Sequence, residues 1–157
     1  MKNLIKKILK EEIDDLGWAK DLISQLRYHE DKKSKGYFNA ENKKMGYWEF
    51  YHGNGKLRSK GEYINDQRTG PWEIYHNNGK LSSKGGYITN KANGPWEFYH
   101  ENGKLESKGE YINGERTGPW EYYRDNGELY YKGEYINGQR TGPWEYYNGE
   151  FNKIIEY

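Results

Sequence analysis

The chain contains no cysteine, only four prolines and only two methionines in 157 residues. Without thiols there are no disulfide staples and no thiolate metal sites. No apolar run reaches the length of a membrane-spanning helix. The opening Met1-Lys2-Asn3-Leu4-Ile5-Lys6-Lys7 is interrupted by lysine before it can build the unbroken apolar core of a secretion signal, so a cytoplasmic protein is expected. An excess of one charge is also missing. Net charge is +1, and no global field draws the protein toward nucleic acid, which is not expected as a partner. The charge divides weakly, with 11 Lys/Arg against 8 Asp/Glu over residues 1–45 and 14 against 16 over 46–157. Hydrophobic residues make up 33% of the chain and aromatics 17%. That is too polar for a two-layer globule and too aromatic for a disordered chain.

What the sequence does have is a period. Trp48, Trp72, Trp96, Trp120 and Trp144 are spaced 24 residues apart without a slip. Units of this length cannot bury a core alone and stack into open arrays. Each unit holds two short strands, a Trp-Glu-aromatic-Tyr run and a run ending at Ile64 and its equivalents. Asn54-Gly55, Asn78-Gly79, Asn102-Gly103 and Asn126-Gly127 mark the turn between them. Gly70-Pro71 and its copies mark the passage to the next unit, with proline as a strand's first residue. The pattern predicts a mainly β fold. It is an elongated single-layer antiparallel β-meander of 24-residue hairpin repeats, about ten or eleven strands in all, with an α-helical N-terminal cap. The cap covers residues 1–34, where Leu4, Ile5, Ile8, Leu9, Ile13, Leu16, Ala19, Leu22, Ile23 and Leu26 recur at helical spacing. The array covers 35–157, as a half repeat at 35–45, full repeats at 46–69, 70–93, 94–117 and 118–141, and a closing hairpin at 142–157.

A register follows if the loops are His52–Gly55 and Asp66–Thr69. Phe50 then faces Leu57, Trp48 faces Ser59, Tyr63 faces Trp72 and Gly61 faces Ile74. Every large apolar residue lands on one face, as a structural ladder of Trp48, Trp72, Trp96, Trp120 and Trp144 with Tyr63, Tyr87, Tyr111 and Tyr135. The other face carries Tyr75, Tyr99 and Tyr123 among lysines. Beside them runs a row of acids, with like charges such as Glu62 and Glu73 directly paired.

The run Lys132-Gly133-Glu134-Tyr135-Ile136-Asn137-Gly138-Gln139-Arg140-Thr141-Gly142, followed by Trp144-Glu145-Tyr146-Tyr147, resembles the MORN repeat, and more closely the bacterial MORN-variant repeat. The likeness recurs through residues 35–147. It implies an antitoxin or immunity protein that binds and neutralises a cognate toxin domain. The wider MORN family implies, as the alternative, a scaffold or a membrane-peripheral phospholipid-binding protein. Trp-x-Tyr-Tyr hairpins also resemble bacterial cell-wall-binding modules, a third, carbohydrate-binding reading.

Chemistry-bearing candidates are few. His52, His76 and His100 occupy one repeat position roughly 9.5 Å apart, too far to share a metal ion. The serines have no His–acid arrangement that the repeat would assemble. Neither an enzyme, a cofactor nor a small-molecule substrate is expected. A Tyr–Lys lattice suits stacking, but the adjoining acid row would repel phosphates, and lysine stems covering tyrosine rings on a solvated face are the favoured explanation, with a protein-binding face as the alternative. The candidate partner-binding residues are Tyr75, Tyr99, Tyr123, Glu97, Glu106, Glu110 and Glu121, together with Tyr130 and Tyr131. The last two replace Arg58-Ser59, Ser82-Ser83 and Glu106-Ser107 of the other copies. The second repeat also departs at Gly86 and Thr89–Asn93.

Overall fold

The computed structural model describes residues 25–157. They form one 12-stranded sheet in which every strand pairs with its sequence neighbours. The strands are β1 (Arg27–Glu30), β2 (Ser34–Phe38), β3 (Lys44–Tyr51), β4 (Leu57–Ile64), β5 (Gln67–Tyr75) and β6 (Leu81–Ile88). They continue with β7 (Lys91–Tyr99), β8 (Leu105–Ile112), β9 (Glu115–Tyr123), β10 (Leu129–Ile136), β11 (Gln139–Asn148) and β12 (Glu150–Glu156). The meander is antiparallel throughout, as the two-strand unit predicts. The expected helical cap has no counterpart among the described residues. Its stretch 1–24 lies outside them, and Arg27–Glu30, placed in that cap by the apolar spacing, is a strand paired with β2. His29 lies in this strand opposite Gly36, and its ring stacks 5.9 Å from Trp48.

The register differs from the sequence expectation, and the reason is a pair of irregularities repeated in each unit. After β3 the pairing runs Phe50↔Ser59 and then Tyr51↔Leu57, so Arg58 is an extra residue. Between β4 and β5 it runs Gly61↔Trp72 and then Glu62↔Thr69, so Gly70 and Pro71 are extra. Bulges of this kind accommodate proline, whose missing N–H is not needed there. The hairpin between β4 and β5 is a two-residue turn with positive φ at Asn65 and Asp66, and the same holds at Asn113-Gly114 and Asn137-Gly138. Positive φ at both central residues is the twist-matched hairpin turn that Asn and Gly favour. The anticipated Asp66–Thr69 loop is instead mostly strand.

Three consequences correct the predicted faces. Trp48 faces Gly61 rather than Ser59, and Gly61 faces Trp72 rather than Ile74. Leu57 pairs with Tyr51 and so leaves the tryptophan face. Glu73 sits opposite Lys60, not Glu62, and no like-charge clash arises.

The sheet has no second layer among the described residues, yet its tryptophans are 0–4% exposed. Each indole lies flat on a glycine of the preceding strand. A Cβ built on Gly61, Gly85, Gly109 or Gly133 would fall 2.2–2.3 Å from the nearest indole atom. The indole Nε1 of Trp72 donates to the Glu62 carbonyl at 3.2 Å, and that of Trp96 to the Gly86 carbonyl at 3.1 Å. A tyrosine closes the other side edge-on. Tyr63–Trp72, Tyr87–Trp96, Tyr111–Trp120 and Tyr135–Trp144 centroids lie 5.1–5.3 Å apart with rings 88–90° to one another. Such edge-to-face pairs add to the area they bury.

Gly109→Ala tests this arrangement. The new methyl cannot coexist with the Trp120 ring, and overpacking of this kind costs about 1–3 kcal/mol. Chemical denaturation is expected to show that loss. A stability equal to the parent's would show that the ring does not rest on the glycine.

Candidate functional site

The face opposite the indoles carries an alternating ladder of charge. Reading across the sheet, the order is Lys35, Glu49, Lys60, Glu73, Lys84, Glu97, Lys108, Glu121, Lys132, Glu145. Opposite charges face each other at every step. Contacts of 2.7 Å join Lys60 to Glu73 and 2.8 Å join Lys84 to Glu97 and Lys108 to Glu121. Each of these glutamates also accepts the hydroxyl of the tyrosine two residues on, Tyr75, Tyr99 or Tyr123. Lysine nitrogens lie over the same rings, at 5.8 Å for Lys60 on Tyr75 and 6.0 Å for Lys84 on Tyr99. The Lys60 hydrogen bond, followed by that of Tyr75, holds the Glu73 carboxyl below its ordinary range. Partial burial, followed by the bond to Glu73, pushes the Tyr75 hydroxyl up, and the Glu73 bond raises Lys60.

The tryptophan face is clamped by arginine. Arg68 lies 5.1 Å over Trp72 and 5.2 Å over Tyr87. Arg116 lies 4.7 Å over Trp120 and 5.4 Å over Tyr135, and Arg140 4.2 Å over Trp144. Lys44 takes the same place over Trp48. In the second repeat this position is Ala92, paired with Tyr87 as Arg68 is with Tyr63. Among the described residues no cation covers Trp96, which is 4% exposed against 0–2% for Trp48, Trp72, Trp120 and Trp144.

The turns are stitched from unit to unit. His52, His76 and His100 each place Nε2 2.8–2.9 Å from the carbonyl of the tyrosine ending the next unit's first strand, Tyr75, Tyr99 and Tyr123. A carbonyl only accepts, so Nε2 carries the proton. Arg124 replaces histidine in the fourth unit and reaches the Tyr147 carbonyl at 2.9 Å. Lys56, Lys80 and Lys104 donate to carbonyls of the following turn, at Asn78, Asn102 and Asn126. The fourth unit is followed by a different, shorter turn, and there the lysine gives way to Glu128.

The nine partner-binding candidates do not converge on one site. Tyr75, Tyr99, Tyr123, Glu97 and Glu121 belong to the charge ladder, where their polar atoms are mutually satisfied. Glu110 lies on the same face, exposed. Glu106, Tyr130 and Tyr131 are elsewhere. Tyr131 is packed, stacked 4.3 Å from Tyr122 and with Arg140 5.3 Å over its ring. Tyr130 stands out of the sheet, 42% exposed, with Arg124 only 4.1 Å over its ring. It occupies the bulge held in the other copies by Arg58, Ser82 and Glu106. Arg58 reaches over the Phe50 ring and Tyr130 meets Tyr131, which places this column on the indole side. Sequence reasoning singled out Tyr130 but missed the column, whose signal was a position with a different side chain in every copy.

One cluster invites a catalytic reading. Ser34 Oγ lies 3.3 Å from His29 Nε2, and Asp31 lies 3.4 Å from the same nitrogen. A relay needs the acid on the other ring nitrogen. Asp31 instead accepts the backbone N–H groups of Lys33 and Ser34 at 2.7 Å, which makes it the cap of the β1–β2 turn.

Two measurements probe these arrangements. Carboxylates held low contribute stability that is present above their unfolded pKa, about 4.3, and lost as pH falls through the folded value. Tyrosines and lysines held high contribute stability that is lost as pH rises through theirs. Thermal melts are expected to plateau between about pH 5 and pH 9 and to decline on both sides. The acid decline should be smaller in a Glu73→Gln/Glu97→Gln variant; an identical decline would remove the ladder from the explanation. Ala92→Arg, which restores the clamp over Trp96, is expected to raise stability by about 0.5–1 kcal/mol. A neutral or destabilising result would mean that the clamp contributes nothing.

No curated protein sequence matches the chain. Among solved structures, TarM aligns over 85% of this chain and 23% of its own, at 14% identity and a TM-score of 0.36. The accessory secretory protein 1, 2 and 3 structure from Streptococcus pneumoniae aligns over 78% of this chain and 19% of its own, at 14% identity and a TM-score of 0.25. The chain thus spans less than a quarter of the length of these structures, and at such scores the likeness carries no argument. The MORN repeat variant pattern matches residues 46–65, 68–88, 92–113 and 116–137, one match for each full turn of the 24-residue period and together more than half of the sequence. With that period built into strands, bulges and indole ladder, the chain belongs to the MORN repeat variant family.

Proposed function

We propose that the array is a non-enzymatic, cytoplasmic protein-binding scaffold, and that it binds and neutralises a cognate toxin domain as an immunity protein. The observation that carries the binding reading is the bulge column Arg58, Ser82, Glu106 and Tyr130. The surrounding frame is nearly the same in every copy. At this one position a cation, a hydroxyl, an acid and an aromatic succeed each other on the indole face. A fixed frame carrying different side chains suits the reading of one particular protein surface. Tyr130 supplies the aromatic anchor that interface hot spots favour, and Arg124 holds its ring in place before binding. Neutralisation follows if this column covers the toxin's active or substrate surface.

A partner captured from the native cell decides between the readings. It is expected to arrest growth when expressed alone and to be harmless when co-expressed with this chain. Tyr130→Ser should weaken the complex at least tenfold and leave the melting temperature unchanged, because Tyr130 is exposed and off the ladder. An unaltered dissociation constant would remove the column from recognition. A partner with no toxicity would leave a scaffold without the immunity role. Co-sedimentation with anionic vesicles at low salt would favour the membrane-peripheral alternative.

A further inference from the structure

The charge-ladder face has a margin that the ladder does not use. Ile64, Ile88, Ile112 and Ile136 stand there in a row, 54–60% exposed, one on every second strand. Adjacent strands lie about 4.8 Å apart, so successive isoleucines are about 9.6 Å apart. Beside them Glu62, Glu110 and Glu134 are exposed, and no hydrogen bond or ion pair engages their carboxylates among the described residues. Lys91 next to Ile88 and Glu115 next to Ile112 offset each other, so the margin keeps a net negative charge. Between it and the ladder run two open furrows that share Pro119 and Glu121. One, of about 320 Å³, lies between Pro95 and Pro119; the other, of about 470 Å³, continues past Pro119 to Pro143 with Ile136 on its wall.

We propose that this margin is a second docking surface, on the face opposite the Tyr130 column, for a basic amphipathic helix of a partner protein. A row of exposed isoleucines repeated at one interval and rimmed by charge suits an interaction site better than a solvated face. The occupant is a helix because the surface is the face of a sheet, whose backbone groups are already paired. An extended segment laid there would lose water from its own N–H and C=O groups and find no replacement, whereas a helix satisfies them internally. The spacing fits as well. Seven helical residues advance about 10.5 Å, within roughly a tenth of the isoleucine interval. A helix with an aliphatic residue at every seventh position and lysine or arginine beside it meets Ile88, Ile112 and Ile136 in turn and brings cations to Glu110 and Glu134. A second copy of this surface, or an anionic membrane, would meet like charge.

The test uses the full chain and a labelled synthetic 21-residue peptide with leucine at every seventh position flanked by lysine, followed by fluorescence anisotropy. Saturable binding that weakens with salt is expected. An isomer of the same composition with scrambled order should bind at least tenfold more weakly. Ile112→Ser/Ile136→Ser and Glu110→Lys/Glu134→Lys should each weaken binding at least tenfold with unchanged near-UV circular dichroism, since all four side chains are exposed. Tyr130→Ser should leave it unchanged, which separates this surface from the one proposed above. Equal binding of patterned and scrambled peptides, or indifference to both double variants, would overturn the proposal. So would a parent chain that self-associates in sedimentation while Ile112→Ser/Ile136→Ser is monomeric, because the occupant would then be a second copy.

Discussion

An indole ring laid flat on a glycine of the neighbouring strand is the contact on which the rest of this sheet depends. A single-layer sheet has no opposite layer to cover its aromatic residues, and its hydrophobic fraction of 33% is too small to build one. The side chains must therefore cover one another within the plane. Gly61, Gly85, Gly109 and Gly133 remove the one atom that would hold the ring off the backbone. The indole comes to rest on main chain, the tyrosine preceding it in the chain stands against its edge, and over Trp72, Trp120 and Trp144 an arginine closes the top. These contacts bring the tryptophans to 0–4% exposure on a surface that would otherwise face water. They also explain the invariance of the period. A residue inserted between the glycine and the indole would separate the ring from its platform in that unit.

The two faces divide the remaining work. On one, charge and phenol hydroxyls satisfy each other in an alternating lattice with little left over for a partner. On the other, aromatic rings and guanidinium groups do the packing. What is free on the indole side lies at the irregularities, and this has a physical cause. A bulge puts a residue outside the ladder, so its side chain has no cross-strand partner to satisfy. Arg58, Ser82, Glu106 and Tyr130 differ because the frame does not constrain them. The isoleucine margin is the opposite case, a residue kept the same in every unit although nothing in its own sheet covers it.

The strands, their antiparallel order and the aromatic repeat were legible in the sequence because alternation and the 24-residue period survive any local irregularity. The register was not. One extra residue at Arg58 and two at Gly70-Pro71 cannot be counted from alternation, which simply resumes beyond them. Asn113-Gly114 and Asn137-Gly138 carried the signal of the tight turn, but Asn65-Asp66 and Thr89-Asn90 in the other copies obscured it. The misplaced register in turn concealed the Lys–Glu alternation and sent Leu57 to the wrong face. Arg27–Glu30 went unseen because the helical apolar spacing runs up to Leu26, directly before the strand begins. At the candidate site, Tyr130 was conspicuous as an anomaly, yet its exposure and the packing of half-buried Tyr131 one residue later became separable only once the bulge was placed.

The indole ladder also has a direction. Trp72 rests on Gly61, Trp96 on Gly85, Trp120 on Gly109 and Trp144 on Gly133, always on a residue earlier in the chain. During synthesis each glycine platform leaves the ribosome before the ring that will cover it. The array can therefore close one unit at a time from its N-terminal side, and no tryptophan has to wait for sequence not yet made. Gene duplication inherits the same order: a unit copied in tandem arrives with its platform already supplied by the unit before it.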